Sequence, residues 1–210
     1  LGTKKNNIKI FPSNQNKNWG VIALIGNDAS KSIIKFSEIT GGSNKLYNNI
    51  YLKGMLSIHW AKNIRIENVK FHNNNIGDDV LNVVNSEIEI DNSLFEKCHM
   101  DCIDFDNSTG LIKNTKLYLA GNDLLDFMES NVKIQKTNLI SAKDKCVSSG
   151  EKSFIKILET YFIDCNIGIA SKDESIVNLS KSKFLNNKDN FSTYRKNFTY
   201  SSEGLIDEEI

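Results

Sequence analysis

From Asp78 onward the apolar residues come in alternating pairs: Leu81 and Val83, Ile88 and Ile90, Ile103 and Phe105, Val132 and Ile134. A period of two belongs to strands with one buried face. No helical stripe lies between the pairs, and Asn, Asp, Ser and Gly break the pattern every few residues. Each unit therefore reads as three short strands joined by three turns.

The unit recurs. Asp79-Val-Leu-Asn-Val, Asp101-Cys-Ile-Asp-Phe, Asp123-Leu-Leu-Asp-Phe, Lys145-Cys-Val-Ser-Ser and Gly168-Ile-Ala-Ser-Lys start 22, 22, 22 and 23 residues apart. Leu81, Ile103, Leu125, Val147 and Ala170 form one apolar column, Ile90, Ile112, Ile134, Ile157 and Leu179 a second, and Phe95, Leu117, Leu139, Phe162 and Phe184 a third. Just before the third, Ser93, Thr115, Thr137, Thr160 and Ser182 repeat as small hydroxyl residues. A fixed period near 22 means a solenoid. Strand alternation selects a parallel β-helix over a leucine-rich repeat, with a rise of about 4.8 Å per coil. The predicted fold is all-β, with about 22 residues per coil and the three columns enclosing its core.

Residues 1–30 read as a first, less regular coil, with Pro12 closing its first strand and a polar loop from Asn44 to Asn49 before the repeats settle. The β-helix domain is expected over residues 1–200, followed by an acidic tail, 201–210, that lacks the pattern. With 210 residues there is room for one core. The formal net charge of zero removes the electrostatic case for nucleic acid as a partner. No apolar run approaches the ~18 residues of a membrane span. The opening Leu1-Gly2-Thr3, without Met or a signal-like region, suggests a processed or excised piece of a longer chain, with flanking domains as partners.

Candidate chemistry lies on the outward column. If Leu81, Ile103 and Leu125 point in, then Asn82, Asp104, Asp126, Ser148 and Ser171 point out, one above another. Asp104 and Asp126 would stand about 5 Å apart on adjacent coils, and Asp104 and Asp106 about 6–7 Å apart along one strand. These separations approach those of retaining and inverting glycosidases, so Asp104 and Asp126 are the candidate catalytic pair. Asp106, His99, Lys145 and Lys172 are candidate substrate-binding residues beside them.

A second acidic column, Asp79, Asp101 and Asp123, needs relief from its own repulsion. Raised carboxyl pKa values, Lys145 at the column's end, or Ca²⁺ held by Asp101 and Asp123 would each supply it. The competing reading makes these residues turn ladders bonded to backbone N–H groups. His59 and His72 are isolated in the sequence, and the four cysteines are expected as free thiols, because those sharing a column are two or three coils apart.

The runs Trp19-Gly-Val-Ile-Ala-Leu, Gly77-Asp-Asp-Val-Leu-Asn82, Gly121-Asn-Asp-Leu-Leu-Asp126 and Ile167-Gly-Ile-Ala-Ser-Lys-Asp173 resemble the right-handed parallel β-helix domains of the pectin-lyase-like superfamily. More closely, they resemble bacterial β-helix modules that accompany spore-coat-type kinase domains. The resemblance covers about residues 2–196 and implies a right-handed helix and export or display at the cell surface. The superfamily includes lyases, hydrolases, epimerases, adhesins and spacers, so fold does not fix function. Short, uniform coils from Gly77 to Asn187 offer no walls for a polymer, and only Arg65 and Arg195 are present to hold a uronate. The sequence therefore favours a non-catalytic module, binding carbohydrate or a surface or acting as a spacer, with a solvated acidic face, that requires no cofactor except, at most, Ca²⁺. The alternative is a polysaccharide-active enzyme, a hydrolase, lyase or epimerase working through the outward acidic ladder.

Overall fold

A computed structural model describes residues 2–14 and 17–209. The period-two pattern becomes a parallel β-solenoid, and the one helical turn among the described residues is the 3-10 segment Asn27–Ala29. One face stacks Ile22–Ile25, Gly54–His59, Asp79–Val84, Asp101–Asp106, Leu125–Met128, Lys145–Gly150, Ile167–Lys172 and Asp189–Tyr194 in parallel. A second face carries Glu87–Asp91 and its successors, and a third carries Leu94–Cys98 and its successors. In the early coils Ile33–Thr40 and Ile64–His72 run through both of these, so the second and third faces form one sheet.

The core is the space between the faces. Leu56, Leu81, Ile103, Leu125, Val147 and Ile169 stack fully buried in one column. Ile66, Ile90, Ile112, Ile134, Ile157 and Leu179 fill a second. Phe71, Phe95, Leu117, Leu139 and Phe162 fill a third, where the Phe71 and Phe95 rings stack with centroids 4.7 Å apart.

The register corrects one column. Val147 pairs with Ile169, Ser148 with Ala170 and Ser149 with Ser171, so Ala170 takes the outward position and Ser171 the inward one. The cause is a compensated length change. Leu139 pairs with Phe162, 23 residues on, yet Lys145 pairs with Ile167, 22 residues on. One residue is gained at the left-handed pair Glu151 and Lys152, and one is lost before Ile167.

Turns close each coil with a left-handed residue, as at Asn85, Asn107 and Glu129, then Asn92, Asn114 and Lys136, then Lys97, Leu119 and Ser141. Asn tolerates this conformation best, and it recurs at these corners. A serine ladder satisfies the amides beside the first corner: the Ser86, Ser108, Ser130 and Ser153 N–H groups donate to the hydroxyls of Ser108, Ser130, Ser153 and Ser175, at 3.0–3.1 Å.

Three further expectations change. The cysteines form bridges, Cys98–Cys102 and Cys146–Cys165, with Cα separations of 5.2 and 5.8 Å. Each bridge joins different columns: a single corner brings Cys98 to Cys102, and Cys146 on the eight-stranded face meets Cys165 at the corner that leads into the next strand of that face, Ile167–Lys172. Comparing cysteines within one column overlooks such pairs. The acidic segment 201–210 does not lie wholly outside the pattern, since Leu205–Glu209 pairs in parallel with Ile176–Ser180 and Ile206 packs against the core. The polar interruption at 44–49 belongs to an antiparallel hairpin, Lys45–Tyr47 with Ile50–Leu52.

Candidate functional site

The outward side of the eight-stranded face brings the acidic residues together. Ser57, Asn82, Asp104, Asp126 and Ser148 are successive register partners in one row, and His59, Val84, Asp106, Met128 and Gly150 form the next. The hairpin stands at the edge of this face. Its last residue, Leu52, is buried and leads directly into Lys53, whose carbonyl accepts the Asp79 N–H.

Asp104 is the centre of a bonded group. Only 6% of the residue is exposed, which overturns the expectation of a solvated acidic face at this position. Its Oδ2 accepts from Lys53 Nζ at 3.4 Å and from Asn82 Nδ2 at 3.2 Å. Asn82 Oδ1 in turn lies 3.0 Å from Nε2 of the buried His59. With Asn82 Nδ2 turned to a carboxylate, its Oδ1 needs a donor, so the imidazole carries its proton on Nε2. Burial, with the charge of Asp106, lifts the Asp104 carboxyl to about 7, and the Lys53 charge opposes the rise. Because Oδ2 already receives two donors, the proton of the neutral form sits on Oδ1.

Asp126 is the open member of the pair, its side chain 36% exposed. Its Oδ1 accepts the Phe127 N–H at 3.1 Å and lies 4.0 Å from Lys172 Nζ. The Lys172 ammonium donates to Ser148 Oγ at 2.7 Å. Its stem passes over Gly150, where a Cβ would come within 3.2 Å of Lys172 Cε. The bare glycine leaves the channel that lets this lysine reach the acidic row.

The second column behaves as a ladder. Asp101 Oδ1 accepts the Asp123 N–H at 2.8 Å, and Asp123 Oδ1 accepts the Lys145 N–H at 2.8 Å. Lys145 Nζ forms ion pairs with Asp144 and, at 3.6 Å, with Asp123. Burial raises Asp101 to about 6, against the amide it accepts, and Asp123 to about 7, against Lys145. Asp79, the first of the column, is buried, and its Oδ2 has no hydrogen-bond partner among the described residues. Burial, with the Asp104 and Asp101 charges, pushes it well above the usual carboxylate range. Raised pKa values and Lys145 thus both relieve the column. Among the described residues no group of three or more His, Cys, Asp or Glu side chains is arranged to hold a metal ion.

The predicted site residues divide accordingly. Asp104, Asp126, Asp106 and Lys172 meet on the face, Asp106 Oδ2 lying 3.8 Å from Lys53 Nζ. Lys145 is there but engaged by Asp123 and Asp144. His99 is exposed in a corner depression with Asn74, Leu119 and Lys143, none of which belongs to the acidic rows. Lys53, Asn82 and His59 complete the site without having been assigned a role from sequence. Asn82 stood in the outward column, whereas Lys53 and His59 precede the regular repeats, where the period gives no phase. His72 is not isolated either, since its Nε2 lies 3.0 Å from Glu38 Oε1.

The chain matches the family described as the right-handed beta helix region over residues 55–202, which is most of its length. It belongs to that family. No curated protein matches it in sequence. Among solved structures, this right-handed β-helix is similar to a pectate lyase from Paenibacillus sp. 0602, with a TM-score of 0.65 at 8% identity over 90% of this chain. The chain spans 60% of that lyase. An alginate lyase from Paenibacillus sp. str. FPU-7 also aligns, with a TM-score of 0.40 at 11% identity, over 98% of this chain and 84% of that one. At such identities the likeness is one of fold.

Proposed function

We propose that the acidic rows form the acid–base site of a polysaccharide-active enzyme, a glycoside hydrolase in which Asp104 is the general acid, and later the base that activates water, and Asp126 the nucleophile. The observation that carries this reading is that Asp104 and Asp126 are register partners in unlike surroundings, one buried and bonded through Oδ2, the other open. Adjacent parallel strands space them by about 4.8 Å, close to the ~5–5.5 Å between the carboxyls of retaining glycosidases. Asp104 offers a proton on Oδ1 to a leaving oxygen, and Asp126 faces the ring carbon from solvent.

This departs from the non-catalytic reading favoured by sequence. Burial of Asp104 removes the argument that open water keeps its carboxyl ordinary. Hydrolysis is preferred to β-elimination because Lys53 and Lys145 are paired with carboxylates and Lys172 donates to Ser148, leaving none of the three poised as a neutral base. The amide ladder of Asp101 and Asp123 favours a structural role for that column, and a non-catalytic surface is the second reading.

Incubation with a polysaccharide panel, assayed for both reducing ends and unsaturated products, tests the proposal. Hydrolysis releases reducing ends alone, and Asp104→Asn and Asp126→Asn each lower the rate by about 100-fold or more. Unsaturated products would assign elimination instead. Inactivity across the panel would return the face to the non-catalytic reading.

A further inference from the structure

One corner of the eight-stranded face carries a side chain that its backbone does not favour. Trp60, Asn85, Asn107 and Glu129 succeed one another where the strands of this face end, all left-handed, with φ between 47° and 57°. The N–H groups of the first three donate alike to the carbonyls of Val84, Asp106 and Met128 on the next coil. Asn suits this conformation, whereas a bulky aromatic residue in it is a genuine outlier. Asn107 Nδ2 also donates to Asn85 Oδ1 at 2.8 Å, a side-chain ladder that an indole cannot continue. Burial does not offset the misfit, because 47% of Trp60 is exposed.

The indole stands at the edge of the proposed site. Its ring meets that of the buried His59, with centroids 5.5 Å apart and planes at 81°. A perpendicular contact leaves at least one face of the indole uncovered by the imidazole. His59 Nε2 bonds to Asn82 Oδ1, and Asn82 Nδ2 donates to Asp104 Oδ2, so an unbroken line of contacts joins the indole to the proposed acid. The strand that ends at Trp60 lies two coils before that of Asp104 and three before that of Asp126. At the strand spacing of a parallel sheet this is roughly 10–14 Å along the solenoid axis.

We infer that Trp60 is a stacking platform for a sugar ring remote from the bond broken, on an extended chain of pyranoses with equatorial substituents. Such rings turn their axial C–H bonds outward as an apolar face, which an open indole covers. A chain lying along the axis reaches Trp60 from the carboxyl pair only when it is several rings long. The inference rests on the hydrolytic reading for the ligand being a glycan, and on Trp60 alone for where the remote ring lies.

Trp60→Asn gives this corner the residue that follows it at 85 and 107, so the unfolding temperature should hold or rise. Calorimetric titration of the intact protein and this variant with cellohexaose, N-acetylglucosamine hexamer and hexagalacturonate tests the ligand. At least one of the two neutral hexamers should bind, with a change in tryptophan emission. Trp60→Asn should abolish that change and weaken binding at least about tenfold, and Trp60→Phe should weaken it less. Equal affinity in the Asn variant, binding of hexagalacturonate alone, or binding of none of the three overturns the inference. So does a clear fall in unfolding temperature for Trp60→Asn, which would make the indole a structural residue. Reducing-end release from a hexamer that Trp60→Asn leaves unchanged would remove this inference and keep the hydrolytic one. Trp60-dependent binding without turnover would do the reverse.

Discussion

At the scale of single residues, the site is defined by unlike environments for like side chains. Asp101, Asp104 and Asp123 titrate near 6, 7 and 7 in the folded chain, against 3.8 for an ordinary Asp. The unfolded chain ionises these groups more readily, so their contribution to stability is largest below about pH 4 and is lost as pH rises to about 7. Within that window the unfolding temperature should rise on acidification, by at least about 4 °C from pH 8 to pH 5, as read by calorimetry. A flat or opposite profile would mean that the three carboxyls are not desolvated. Asn82→Ala removes the donor to Asp104 Oδ2 and the acceptor of His59, and should cost about 1–3 kcal/mol in denaturant unfolding. The acids of this site were legible because they recur at the repeat spacing. Lys53 was not: its stem reaches 51 residues ahead in sequence, from a coil where no period yet holds.

At the scale of the elements, the strands were legible because each inward column repeats one kind of side chain. The errors fall where a turn changes length, as at Glu151 and Lys152, since a gained residue followed by a lost one shifts only the strand between. Hydroxyls beside the third column were seen as a repeat, but the serine ladder at 86, 108, 130, 153 and 175 was missed, because serine at a turn is common and its bond to the preceding coil's N–H is not local. Ser108→Ala would leave the buried Ser86 N–H without its acceptor and should destabilise by about 1–3 kcal/mol. The control is Asn107→Gly at the neighbouring exposed corner, where glycine takes the left-handed conformation freely. A loss of stability for Ser108→Ala no greater than for that control would remove the ladder from the account.

At the scale of the whole molecule, two bridges tie coils that are otherwise held by neighbour contacts. Cys146–Cys165 spans 19 residues and closes most of one coil beside Lys145, and Cys98–Cys102 staples the corner before Asp101. The native oxidised protein should show no free thiol, and reduction in denaturant should release four. Replacing both Cys146 and Cys165 by Ser should lower stability by about 2–4 kcal/mol on the chain-entropy picture. Thiols titrating in the native, air-oxidised protein would contradict the pairing. These bridges were not legible, because column membership can be read along the chain while the bonds run between columns.

In the proposed site the eight-stranded face holds Asp104 as a neutral acid beside the open Asp126. Carboxyl-carbon NMR titration of Asp104 measures it most directly, with Asp104→Asn for assignment. The midpoint should lie near 7 and hold at moderate salt, because burial is its main cause. A midpoint below about 5, in the range of a solvated Asp, would contradict it.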